Sequence, residues 1–198
     1  LNFSKISILL DIKKLNLFIK FVSPEIEYQS VKIPLDSLRA NVELDSLLKN
    51  KIVIKNIIIT SKYLNFNLIK PLIIQSNLYK YNLNTLAKIE KSQIKIRGDF
   101  NFNKNFDLKN DFNLSGRVKN TNFKYDKNNR ISNLNFNFAY NQKEGLRLKD
   151  LSSNYNNIKI INGKINFEDL KGNITLDINT KIRFEDNKNE LLIIKKNL

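Results

Sequence analysis

From residue 94 to residue 102 the chain reads Ile94-Lys95-Ile96-Arg97-Gly98-Asp99-Phe100-Asn101-Phe102. Apolar residues or glycine hold the even positions, and charged or amide residues hold the odd ones. A period of two belongs to a β-strand with one apolar and one polar face. The pattern repeats outward in both directions. Phe112, Leu114, Gly116 and Val118 follow it, as do Leu134, Phe136, Phe138 and Tyr140 against Asn133, Asn135, Asn137 and Ala139. Ile158, Ile160, Ile165 and Phe167, then Ile174, Leu176, Ile178, Ile182 and Phe184, extend it toward the C-terminus. On the other side stand Ile6, Ile8, Leu10 and Ile12, then Leu15, Leu17, Ile19 and Phe21, then Leu38, Ala40, Val42 and Leu44. Turn-forming clusters such as residues 126–130 and 141–145 separate the runs. Strand follows strand across short gaps, which predicts a mostly antiparallel sheet built of hairpins.

Two segments depart from this period. Between Asn77 and Lys91, apolar residues fall at Leu78, Tyr79, Leu83, Leu86 and Ile89, a spacing that predicts one helix of about three turns. Residues 44–49 predict a short helical turn before a strand over Ile52–Ile59. The chain therefore divides into strands over 1–76, a helix over 77–91 and strands over 92–198, as one segment. Pro24, Pro34 and Pro71 mark strand ends or edges. A loose internal repeat pairs Ile54–Ser61 with Leu148–Tyr155, and Gly98–Phe102 with Gly163–Phe167. Asn-Gly occurs only at Asn162-Gly163, so few tight primed hairpin turns are expected.

Composition excludes much. The 198 residues hold no His, Cys, Met or Trp. Without His or Cys there is no Ser-His or Cys-His catalysis, no disulfide and no ordinary zinc site. With 33 Asn and three Ala the chain is poorly suited to a helical fold. The Asn, Lys and Ile bias also suits an AT-rich genome, so the amides and the net charge of +15 carry little functional weight on their own. Carboxylates are dispersed. Glu25 and Glu27 share one strand face, a placement that acid/base chemistry could use but that a solvated polar face explains as well. The five Gly are isolated and form no phosphate loop. No cofactor and no catalytic residue is expected, and the chain does not read as an enzyme.

A dozen one-sided strands make an apolar face that one helix cannot cover. Three arrangements bury it: a sandwich, a closed barrel (an outer-membrane barrel among them), or an open gutter occupied by something apolar. Phe gathers on the alternating face, and the connections are loose polar loops. These features favour the gutter. Its expected lining is Phe100, Phe102, Phe112, Leu114, Leu134, Phe136, Phe138, Ile158, Ile160, Ile165, Phe167, Ile174, Leu176 and Ile178.

Leu47-Leu48 followed by Lys51-Ile52-Val53-Ile54-Lys55-Asn56-Ile57-Ile58-Ile59-Thr60-Ser61 resembles a pattern of the AsmA-like proteins of Gram-negative bacteria, relatives of the TamB-like and YhdP-like proteins. Leu114-Ser115-Gly116-Arg117-Val118-Lys119-Asn120-Thr121-Asn122-Phe123 resembles another, with Thr121 where the family often has Gly. The resemblance covers residues 23–182. It implies a fold class: mostly β, a long curved antiparallel sheet forming an open hydrophobic groove. It also implies bridge-like phospholipid transport in outer-membrane biogenesis, with phospholipid acyl chains as the partner. Such proteins are periplasmic and tethered to the inner membrane by an N-terminal helix. This chain begins at Leu1 and lacks that helix, so it would be an internal segment reaching the inner and outer membranes through other parts of the protein.

Two other classes compete. A basic sheet carrying Tyr and Phe could hold an anionic polymer such as nucleic acid, but no dense basic cluster stands out, so no nucleic-acid partner is expected. A structural β-repeat would bind no lipid at all.

Overall fold

The computed structural model describes residues 2–13, 16–28, 30–75, 88–109, 111–124, 126, 129–156, 158–170 and 173–184. The strands are β1 (Lys5–Asp11), β2 (Asn16–Val22), β3 (Glu25–Tyr28), β4 (Val31–Glu43), β5 (Ile54–Ser61), β6 (Leu64–Asn65), β7 (Ile89–Asn101), β8 (Asn113–Lys124), β9 (Arg130–Asn141), β10 (Gly145–Tyr155), β11 (Ile158–Leu170) and β12 (Asn173–Phe184). Helix α1 (Leu44–Leu48) follows β4, and α2 (Phe66–Gln75) follows β6.

All strands join one open antiparallel sheet in the order β1-β2-β4-β5-β7-β8-β9-β10-β11-β12. Short β3 pairs with the first residues of β4, and β6 with Gln93 and Ile94 of β7. Each is the continuation of its predecessor past a break: β2 resumes as β3 after Ser23-Pro24, and β5 as β6 after Lys62-Tyr63. The sheet is thus a meander of ten long strands. Among the described residues no second sheet packs on it and β1 does not close on β12, so they form neither the sandwich nor the barrel.

The period-two runs appear as strands, and α1 stands at the expected turn. Helix α2 departs from expectation. It occupies residues assigned to strands and carries Pro71 inside it. Asn65 Oδ1 accepts from the Asn67 N–H at 3.0 Å, which satisfies one of the free donors at its start. Pro71 therefore marks no strand end. The helix expected over Asn77–Lys91 falls on residues 76–87, which lie outside the described residues. Its last part, Ile89 to Lys91, is the beginning of β7.

A line of irregularities crosses the sheet from side to side. Ser23, Asn120, Asn133, Asp150 and Asn162 have left-handed backbones, with φ between 47° and 54°. The strand registers slip beside them: near Leu35 in β4, between Lys91 and Gln93 in β7, and in each pairing from β8 to β12. These are β-bulges, and they bend strands and sharpen their twist. Asn and Asp enter the left-handed region most readily among residues with a side chain. Neighbouring side chains take up donors along the line. Asn135 Oδ1 accepts from Asn120 N–H (3.0 Å), Asn122 Oδ1 from Asn133 N–H (3.2 Å), and Ser61 Oγ from Ile96 N–H (2.8 Å). The one Asn-Gly pair sits in this line inside β11, as a bulge and not as a hairpin turn.

Candidate functional site

Directly opposed residues in an antiparallel pair point to the same face. The registers can therefore be followed across the sheet. One row runs Ile6, Phe21, Leu38, Ile59, Gly98, Leu114, Tyr140, Leu146, Phe167. A second runs Ile8, Ile19, Ala40, Ile57, Phe100. A third runs Ile96, Gly116, Phe138, Leu148, Ile165, Ile178. Each contains only apolar residues and glycine. The alternating strands thus align their apolar sides into one continuous face from β1 to β12.

Among the described residues, little covers that face. Among the described residues, the buried apolar side chains are Leu35, Ala40, Val42, Leu64, Phe66, Ile69 and Val118, together with Pro24. Leu64, Phe66 and Ile69 form the one buried cluster among them, where α2 lies on the sheet and Ile33, Ile89 and Ile94 pack against it. Beside α2 opens an apolar cavity of about 520 Å³, lined by Ile33, Leu35, Ile59, Leu72, Ile96, Gly98, Phe100 and Leu114 among others. Elsewhere the rows are half-buried, and at the two ends they are open: Ile8 is 66% exposed and Ile178 58%.

The floor is shaped by aromatic rings and glycine. Phe100, Phe112 and Tyr140 make a row of three rings across β7 to β9, with centroids 6.3 and 5.9 Å apart. A Cβ on Gly116 would stand 2.6 Å from Cζ of Phe138, and one on Gly98 would meet the ring of Phe100. The glycines leave room for rings to lie flat on the sheet.

Most of the expected lining is brought together. Phe100, Phe112, Leu114, Phe136, Phe138, Ile165, Phe167 and Ile178 share the face described above, with Phe136 opposite Val118. Leu134 continues it opposite Thr121, and Ile158 and Ile160 opposite Tyr155 and Ser153. Phe102 is the exception. It lies past the end of β7, where its N–H bonds to Lys55 O, and it lines a cleft with Asn41, Glu43, Lys55 and Asn56. Strand alternation stops at Asn101, so the period no longer fixes its side. Ile174 and Leu176 register with Asp169 and Phe167, and their side chains lie outside the described residues.

Sequence reasoning missed Tyr140, Leu146 and Leu148, and every lining residue of β1 to β5. Their alternation is visible in the sequence, where it assigns the strands without being carried to the face. It also missed α2.

The opposite face is polar and charged. Arg97, Ser115, Ala139, Arg147 and Asn166 form one of its rows. Arg39 lies 4.1 Å over the ring of Phe18, and Tyr63 has Lys119 at 4.6 Å and Lys95 at 5.8 Å. A wide polar cleft of about 750 Å³ opens at the ends of β7 to β9, between Asn101, Lys109, Asn113, Asn141 and Glu144. Within it Asn141 Nδ2 donates to Glu144 Oε2 at 2.6 Å, and Asn113 Nδ2 to the Asp111 carbonyl at 3.4 Å. Lys32 Nζ lies 3.9 Å from Glu25 Oε1 and registers with Glu27, so those two carboxylates face a cation. Among the described residues, no group of three or more Asp and Glu could hold a metal ion. No helix among them is long and apolar enough to cross a membrane.

No protein-family model, curated protein or solved structure matches the chain.

Proposed function

We propose that the chain is a segment of a lipid conduit, in which acyl chains lie along the apolar face while headgroups stay wet at the rims. The observation that carries this reading is the unbroken apolar row from Ile6 to Phe167, running across strands that, among the described residues, only α2 covers in part. A continuous apolar face that stays half-buried along its middle and open at its ends is a place for an apolar partner. A bilayer lipid suits it because each buried methylene contributes about 0.8 kcal/mol without any directed polar contact. A face of uniform chemistry holds a tail at many positions with similar energy, so the tail can slide. The basic opposite face and rims would favour anionic headgroups. On this reading, and on the resemblance to AsmA-like proteins, the setting is the periplasm of a Gram-negative bacterium. The anchor to the inner membrane would lie outside the chain.

Mass spectrometry of lipid extracted from the purified protein tests the proposal. Stoichiometric phospholipid is expected. A folded protein that carries none, and takes none from vesicles, would be a structural β-repeat. Nucleic acid bound with affinity that falls steeply as salt rises would favour the polymer reading instead.

A further inference from the structure

In a chain biased toward Asn, Lys and Ile, lysine is the default cation and arginine the exception: of 34 basic residues, 28 are Lys and six are Arg. The strand registers gather three of the six on the polar face. Arg97 of β7 stands opposite Ser115 of β8, Ser115 opposite Ala139 of β9, and Ala139 opposite Arg147 of β10. Arg117 stands two residues along β8 from Ser115, on the same face, and directly opposite Lys95. Ser115 and Ala139 are small, and Ala139 is one of only three alanines in the chain. They make a low floor flanked by arginines.

The carboxylates nearby are taken. Asp36 pairs with Lys95 at 2.5 Å, and Glu144 pairs with Arg147. Asp99 accepts from the side-chain amide of Asn56, and Asp150 from that of Asn137 at 2.7 Å. Lys119 lies over the ring of Tyr63. Among the described residues no carboxylate pairs with Arg97 or Arg117, and both are exposed. Lys95 and Arg117 are like charges directly opposite each other, an unfavourable arrangement that a bound anion relieves.

We propose that Arg97 and Arg117, with the Ser115 hydroxyl between them, form a binding site for a phosphate monoester. Diagonal neighbours on adjacent strands stand about 7–8 Å apart, a span that two arginine side chains can close on one tetrahedral anion. Each guanidinium presents a planar fork that matches two phosphate oxygens, whereas a lysine offers a point charge. The Ser115 O–H donates to a further oxygen. Two uncompensated guanidiniums match two negative charges. A phosphate monoester carries nearly two at neutral pH, and a carboxylate carries one. The group can be borne by a soluble compound or by a lipid headgroup. The site lies on the face away from the trough and does not require that the trough hold lipid.

Isothermal titration calorimetry of the chain with inorganic phosphate and with glycerol 3-phosphate is expected to show one site. Arg97→Gln and Arg117→Gln should each weaken it about tenfold or more. Arg117→Lys keeps the charge but loses the fork, and should weaken it about threefold or more. Lys20→Gln removes an exposed cation from the same face, on β2, and should leave the affinity unchanged. The chain has no His, so no side chain with an ordinary pKa titrates between about pH 5 and 8. A several-fold loss of affinity across that range on acidification therefore reports the second ionisation of the phosphate, near pH 6. Flotation with vesicles of phosphatidylcholine, with and without phosphatidic acid, separates the two bearers. Phosphatidic acid vesicles that retain the unmodified chain and release the Arg variants point to a headgroup, and binding of glycerol 3-phosphate alone points to a soluble compound. A chain that binds neither soluble phosphate nor phosphatidic acid overturns the proposal. So does a loss in Lys20→Gln as large as in Arg97→Gln, which would reduce the binding to the net charge of +15. Vesicle binding that both Arg variants keep, with no soluble phosphate bound, overturns it as well. Circular dichroism confirms that each variant is folded, which the exposure of these side chains leads one to expect.

Discussion

Gly116 and Phe138 are direct cross-strand partners on β8 and β9, and the phenyl ring occupies the place a side chain at 116 would take. On the other flank, a Cβ at 116 would collide with the backbone carbonyl of Lys95. A ring can turn aside, but a carbonyl inside the β7–β8 ladder cannot without breaking pairing. Gly116→Ala is therefore expected to lower stability by about 1–3 kcal/mol, the usual range for overpacking. Gly163→Ala should cost less, because its nearest neighbours are side-chain atoms of Leu151 and Thr180 at 3.1–3.3 Å. Urea unfolding of the two variants checks the order.

Ser92 and Thr121 share a buried hydroxyl–hydroxyl bond of 2.6 Å on the bulge line. Replacing one partner leaves the other buried and unsatisfied. Thr121→Val or Ser92→Ala alone should cost about 1–3 kcal/mol. The double variant should cost less than the sum of the two, since no orphan remains. A double-mutant cycle by chemical denaturation measures the coupling, and additive values would show that the bond contributes nothing.

The left-handed positions predict a residue-specific pattern. At Asn133, with φ of 50°, a β-branched side chain meets its own carbonyl oxygen. Asn133→Val should destabilise the sheet by about 1–3 kcal/mol, whereas Asn133→Gly should be close to neutral. Equal effects from both would mean that the amide's bonds, and not its backbone, matter at this site.

These amides also show where sequence reading stopped. Period-two alternation revealed the strands, because a half-buried face is written directly into residues such as Leu134, Phe136 and Phe138. Bulges are not written that way. An Asn inside an alternating run reads as one more polar residue, and the compositional excess of Asn hid the few that bend the strands. The bulges matter to the site as well. Each one resets the alternation, so Thr121 and not Asn120 follows Val118 on the apolar face. Helix α2 was obscured by its own sequence, Phe66-Asn-Leu-Ile-Lys-Pro-Leu-Ile-Ile-Gln75, whose apolar run and Pro71 look like the end of a buried strand. Its docking on Leu64 and Ile94 overrides that local preference. Phe102 stands apart for the opposite reason: the pattern continues one step beyond the strand that gives it meaning.

The lipid reading meets its sharpest test at Phe136, which is half-buried on the apolar face opposite Val118. Phe136→Asp places a carboxylate on the floor of the trough. With the trough empty the carboxylate reaches water, so the sheet should stay folded with a loss of about 1–3 kcal/mol. With an acyl chain above it, the charge is held against hydrocarbon without a partner, which costs several kcal/mol. Bound phospholipid should therefore fall about tenfold or more. Asn135→Asp supplies the control: it adds the same charge one residue away on the polar face, where its oxygen can still accept from Asn120. That variant should retain lipid. If both variants keep their lipid, the acyl chains do not lie on this face. If Phe136→Asp unfolds the chain outright, Phe136 belongs to a closed core, and the trough is not open where the registers place it.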